Sequence, residues 1–138
     1  IAMRGSLDGR IVWLTAAVTL WTAGFDIIYA CQDHAFDVAN GLNSIPQKFG
    51  IPGALWVARL FHIGMLACLA ALHVGFGMHS LAWVGVAAVA GLLAWEHRLV
   101  RADDLSKIDA AFFTMNGWIS VVFFIFWASD ALLGGKLA

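Results

Sequence analysis

Charge is what this chain has least of. Lys, Arg, Asp and Glu make up 12% of its 138 residues, about half their share in an average soluble domain. From Ile11 to Phe25 there is no charged residue at all. A formal net charge of -1 and the lack of any long basic tract exclude nucleic-acid binding, whose affinity rests on clustered Lys and Arg. Cysteine is scarce too: Cys31 and Cys68 sit in different apolar segments without a Cys-x-x-Cys pair, which excludes a disulfide framework. Internal repeats, low-complexity tracts and a cleavable signal pattern are missing. The opening Ile1-Ala-Met-Arg4-Gly-Ser-Leu-Asp8 reads as a loop entered from something upstream, and the start on Ile agrees with that.

Apolar bulk takes the place of charge. Hydrophobic residues are 62% of the chain, with seven Trp, ten Phe and a mean hydropathy of +0.83, which identifies an all-α membrane protein. Crossing a bilayer takes roughly 20 apolar residues per helix. About four such segments are present, near Arg10 to Ala30, Ala54 to Val74, Ser80 to Trp95 with some of its flanks, and Ala110 to Leu133. The third is the shortest. Pro52 suits the first turn of a helix, and Ser106 with Asp109 resembles a capping box that starts the last one.

Four crossings fix a topology. The long polar loop 31–52 and the charged loop 97–109 lie on one side, the termini and the turn 75–79 on the other. Lys48, Arg98, Arg101 and Lys107 flank the first side; Arg4, Arg10 and Lys136 flank the second. The positive-inside rule leans, by this narrow excess, towards a cytoplasmic loop 31–52.

Three of the nine acidic residues stand at the entrance to that loop. In Asp26-Ile-Ile-Tyr29-Ala-Cys31-Gln32-Asp33-His34-Ala-Phe36-Asp37, three carboxylates stand at the mouth of an apolar segment. On a helix turning about 100° per residue they share one stripe, within about 20° of Asp26 on either side. Carboxylates so close repel one another and are costly near lipid, so a cation, a cavity or open water must compensate them. A magnesium-diphosphate site is the leading reading; a solvated loop face is the bland one.

The residues also carry a resemblance. Asp26-x-x-Tyr29-x-x-Gln32-Asp33-x-x-x-Asp37-x-x-x-Gly41-x-x-Ser44-Ile45-Pro46-x-x-Phe49-Gly50 resembles the second aspartate-rich motif and following loop of the UbiA superfamily of intramembrane aromatic prenyltransferases. Asp104-Leu-Ser106-Lys107-Ile-Asp109-Ala-Ala-Phe112-Phe113-x-x-Asn116-Gly117-x-Ile119-Ser120 is similar to the region before and within the last helix of the 4-hydroxybenzoate polyprenyltransferase branch. No first motif of the type Asn-Asp-x-x-Asp-x-x-x-Asp occurs. The likeness is therefore to the C-terminal half of a helical membrane bundle, beginning just before the family's sixth helix.

That resemblance implies transfer of a polyprenyl group from a polyprenyl diphosphate to an aromatic acceptor, 4-hydroxybenzoate first among candidates, with naphthoate, chlorophyllide and glycerol phosphate as others. It implies that Asp33 and Asp37 bind metal-diphosphate through Mg2+, and that Asp26 contacts metal or positions the acceptor. Tyr29, Gln32 and Ser44 become substrate contacts, although Tyr29 and Gln32 are equally suited to helix packing. It further implies the inner membrane of a bacterium, an acidic loop on the cytoplasmic face, and an N-terminal half or partner chain to complete the site. The rival class is a non-catalytic lipid- or quinone-binding subunit of a membrane complex.

Other candidates have structural readings. Cys31, His34 and Asp37 as a zinc site would be a mixed cluster that more often arises incidentally. His62, His73, His79 and His97 fall on different helices and faces and read as packed or interfacial histidines. Arg59 reads as a snorkelling or ion-paired side chain, and Asn116 as an interhelical hydrogen bonder. Phe112, Phe113, Phe123, Phe124, Phe126 and Trp127 are expected of any packed membrane helix; only the resemblance makes part of them a prenyl groove.

Overall fold

The computed structural model describes residues 8–137, and the side chains of all of these except 110–112 and 134–137. Residues 1–7 of the expected N-terminal loop, Arg4 among them, therefore lie outside the described residues, and the side chain of Lys136 lies outside the described side chains. Six helices follow in order: α1 (Ile11–Ala30), α2 (His34–Asn40), α3 (Ile45–Phe76), α4 (Ser80–Leu99), α5 (Ile108–Ala110) and α6 (Asn116–Leu137). A 3₁₀ turn, Cys31–Asp33, joins α1 to α2, and a π-helical turn, Ala111–Met115, joins α5 to α6. Among the described residues no strand forms beyond one isolated bridge between Arg101 and Asp104. Four helices are long and apolar enough to cross a membrane, as the four hydrophobic segments require.

The loop 31–52 is far more helical than its polarity indicates. Ser44 caps α3, its hydroxyl accepting from the Gln47 amide at 3.2 Å, and Pro46 follows in the first turn. The helix that the hydropathy starts at Ala54 thus begins at Ile45. It is interrupted once, at Gly50, whose φ of 70° is left-handed; glycine alone takes that conformation without cost. Pro52 stands in the first turn after this kink, where a missing N–H is tolerated. The expected capping box at Ser106 does not form. Ser106 instead donates its hydroxyl and its backbone amide to Asp104 Oδ1, at 2.6 and 3.1 Å.

Two apolar clusters hold the bundle. At one end Ile27, Ile28 and Cys31 of the α1 side meet Ala54, Leu55 and Ala58 of α3, Val100 after α4 and Ile108 of α5. Further along, Ala17 and Phe25 meet Met65 and Leu69 of α3, Val89 and Leu93 of α4 and Ile119 of α6. α1 packs mainly on α3, and α4 mainly on α6. Small residues set the second contact, since a Cβ on Gly85 would stand 2.6 Å from the Phe126 Cβ. At the far end Arg10 ties the start of α1 to the end of α3: it pairs with Asp8, donates to the Gly75 carbonyl at 3.1 Å and covers the Phe76 ring at 4.2 Å. Donating to the Asp8 carboxylate raises the already high pKa of that guanidinium.

Candidate functional site

α1 is two-faced at the level of its aspartate. Gly24, Phe25, Ile27 and Ile28 are buried against the other helices, while Asp26 is exposed. Gly24 and Ile28 lie about 160° from Asp26 around the helix, so the carboxylate projects from the side turned away from the helices described here. Tyr29 remains 38% exposed near the same end. Beyond it the chain tightens. A 3₁₀ turn advances about 20° per residue more than an α-helix, so Cys31–Asp33 rotates Asp33 and Asp37 by about 60° relative to Asp26. The single stripe expected from an uninterrupted helix therefore fans out, with Asp33 about 40° and Asp37 about 80° from Asp26 around the axis.

Environment separates the pair as well. Asp33 is exposed at the end of the 3₁₀ turn, whereas Asp37, one turn into α2, is only 9% exposed. Gln32, between Cys31 and Asp33, donates its amide to Asp109 Oδ1 at 3.3 Å. That bond and the shared apolar cluster place the loops 31–52 and 97–109 at one end of the bundle, as the topology of four crossings demands. Ser44 is engaged as the cap of α3. Cys31 is buried and directs its thiol to the Ile27 carbonyl at 3.4 Å. Among the described residues no three His, Cys, Asp or Glu side chains gather at metal-ligand separations, so Cys31, His34 and Asp37 make no zinc centre and the three aspartates make no complete cage.

Several polar features escaped the sequence reading. His62 on α3 is buried, with Nδ1 3.0 Å from His97 Nε2 on α4 and Nε2 3.4 Å from the Trp21 carbonyl on α1. The faces of single helices cannot pair two histidines 35 residues apart, so in the sequence they read as scattered. Asp130, buried in α6, accepts from the backbone amides of His79 and Ala82 at 2.8 and 3.1 Å, capping α4 from a different helix. Glu96 is fully buried, and neither carboxylate oxygen has a hydrogen-bond partner among the described residues. Its signal was present as the one acidic residue of α4.

At the other end of the molecule an apolar groove of about 380 Å³ opens between α1, α3 and α6, lined by Leu14, Leu72, Phe76, Phe123, Phe124 and Trp127 among others. No polar side chain lines it.

Comparison with known proteins identifies the family. The sequence model of the UbiA prenyltransferase family matches residues 1–129. The 4-hydroxybenzoate octaprenyltransferase of Methylococcus capsulatus is 34% identical over 140 residues, covering 97% of this chain and 45% of its own length. The mitochondrial 4-hydroxybenzoate polyprenyltransferase of Caenorhabditis elegans is 30% identical over 124 residues, 89% of this chain and 34% of its own. The 4-hydroxybenzoate geranyltransferase 1 of Lithospermum erythrorhizon is 31% identical over 128 residues, 89% and 40% respectively. The chain thus spans less than half the length of the curated relatives it matches. No solved structure matches it. With that family matched across nearly all of its length and with four apolar helices, the chain belongs to the UbiA prenyltransferase family and is an integral membrane protein.

Proposed function

We propose that this chain forms one wall of an intramembrane site that moves a polyprenyl group from its diphosphate to an aromatic acceptor, 4-hydroxybenzoate, in quinone biosynthesis. The observation that carries the reading is the exposed Asp26 of α1, which projects from the side opposite the buried Gly24 and Ile28, a position that is costly near lipid unless a polar site covers it. The names of the relatives supply the acceptor.

Asp33 and Asp37 are the residues to hold metal-diphosphate. Their carboxylates are hard oxygen donors one helical turn apart, and magnesium is commonly held by one or two carboxylates with substrate phosphates and waters filling the rest. Bound there, the ion supplies Lewis-acid stabilisation of the departing diphosphate. Asp26 lies about 10 Å further along the helix from Asp33. It is too far to share an ion with that pair and positions the acceptor ring instead. Tyr29 stands between the two positions, and the apolar helices keep water from the allylic cation. The groove accommodates the tail. Leu14 is about 28 Å along α1 from Asp33, so only a long isoprenoid reaches both. The facing carboxylates and the opposite wall come from an N-terminal half or a partner chain, and the acidic end faces the cytoplasm.

In the full-length protein, Asp33→Asn and Asp37→Asn should each lower prenyl transfer by at least about 100-fold, the scale on which loss of one preorganised electrostatic contact is felt. Turnover at the parental level in both would overturn the assignment. Retained lipid binding without any transfer in the parent would favour the non-catalytic subunit, for which the groove alone suffices.

A further inference from the structure

His62 and His97 lie outside the acidic site, yet they form the only side-chain hydrogen bond between α3 and α4 among the described residues. Their geometry fixes where the protons are. A carbonyl oxygen only accepts, so Nε2 of His62, facing the Trp21 carbonyl, carries a hydrogen. In the neutral ring Nδ1 is then bare and accepts from Nε2–H of His97 at 3.0 Å. A single chain of donors runs from α4 through α3 to the backbone of α1.

The ring is seated as well as bonded. A Cβ on residue 24 would stand 2.4 Å from His62 Nε2 and 2.5 Å from Cδ2, so α1 reaches the ring only because that residue is Gly24. Phe25 closes the seat, with its ring centroid 5.0 Å from that of His62. This clasp grips residues 21–25. The stretch from Ile27 to Cys31 is gripped separately, by the apolar cluster around Ala54, Leu55 and Ala58. Asp26 is the residue between the two grips. It points to the opposite side from Gly24, so His62 and His97 never touch what Asp26 touches.

We propose that the His62–His97 pair, seated on Gly24, is a positioning device that fixes the rotation of α1 and thereby aims Asp26 into the site. The inference rests on the functional reading above, in which Asp26 positions the acceptor. Because the second grip holds Asp33 and Asp37 independently, losing the clasp should spare binding of the diphosphate and damage alignment of the acceptor.

The test is a set of variants of the full-length protein assayed for prenyl transfer. His97→Leu removes the donor; His97→Gln restores one, since the glutamine amide nitrogen occupies the place of Nε2. His97→Leu should lower kcat about 10-fold with KM for the prenyl diphosphate within about 2-fold of the parent, a loss worth about 1.4 kcal/mol in barrier height. His97→Gln should recover most of it. In an Asp26→Asn background His97→Leu should cost nothing further, a non-additivity that general loss of packing would not produce. Gly24→Ala should also lower kcat, and should do so far less in a His62→Ala background where the ring is gone. Parental kcat in His97→Leu, equal losses in the Leu and Gln variants, or additive losses with Asp26→Asn would each overturn the inference. Parental turnover in Asp26→Asn, or no transfer by the parent, would instead remove the functional reading, and the aiming role with it.

Discussion

Gly85→Ala is the sharpest packing test. The added methyl would lie 2.6 Å from Phe126 Cβ, against the 3.4 to 4 Å of ordinary van der Waals contact. The obstacle is a Cβ, fixed to the backbone of α6, and not the far end of a side chain that rotates away. The two helices must therefore part by about 1 Å. Overpacking of this kind costs about 1–3 kcal/mol, and at about 2–4 °C per kcal/mol for a domain of this size Tm should fall by roughly 2–12 °C. The same logic yields an unusual control. Phe126→Ala leaves the offending Cβ in place and should not relieve Gly85→Ala, whereas Phe126→Gly should. Thermal unfolding of the detergent-solubilised protein measures all three. A Gly85→Ala protein as stable as the parent, or relief by Phe126→Ala equal to that by Phe126→Gly, would refute the close approach of α4 and α6.

Asp130→Ala should destabilise the start of α4 more than Asp130→Asn, because asparagine keeps one oxygen for the His79 and Ala82 amides; hydrogen exchange at those two amides reads the difference. Hydrogen bonds from the Ser106 hydroxyl and amide hold the Asp104 carboxyl below the usual aspartate range. The loop stability it contributes is thus present above that range and is lost as pH falls through the depressed value, and Ser106→Ala should move the Asp104 titration seen by NMR back upwards. Single cysteines at Gln47 and Ala102, with Cys31 and Cys68 replaced, should both be labelled by an impermeant reagent from the cytoplasmic face; labelling from opposite faces would break the topology of four crossings.

The spans were legible because a run such as Ile11 to Phe25 has no charge to hide, and hydropathy needs no tertiary context. Helix order and the meeting of the two charged loops followed from counting crossings, and the Gln32–Asp109 bond displays the result. The helical content of 31–52 was hidden behind its polarity, although Ser44 and Pro46 were a cap and a first-turn proline in plain view. The 3₁₀ turn at Cys31–Asp33 carries no local signal; tertiary burial of Cys31 accompanies it, and it fanned out a stripe that periodicity drew as one line. The His62–His97 pair and the Asp130 cap join residues 35 and 48 to 51 positions apart, and no periodicity along one helix encodes such partners.

Binding of manganese, read by electron paramagnetic resonance on the full-length protein in the presence of inorganic pyrophosphate, tests the central claim most directly. Mn2+ takes oxygen ligands as magnesium does, so the metal-diphosphate role of Asp33 and Asp37 is measured without any assumption about the acceptor. Pyrophosphate-dependent binding in the parent should weaken at least about 10-fold in Asp33→Asn and in Asp37→Asn, each of which removes a charged ligand. Undiminished binding in both variants would contradict that claim.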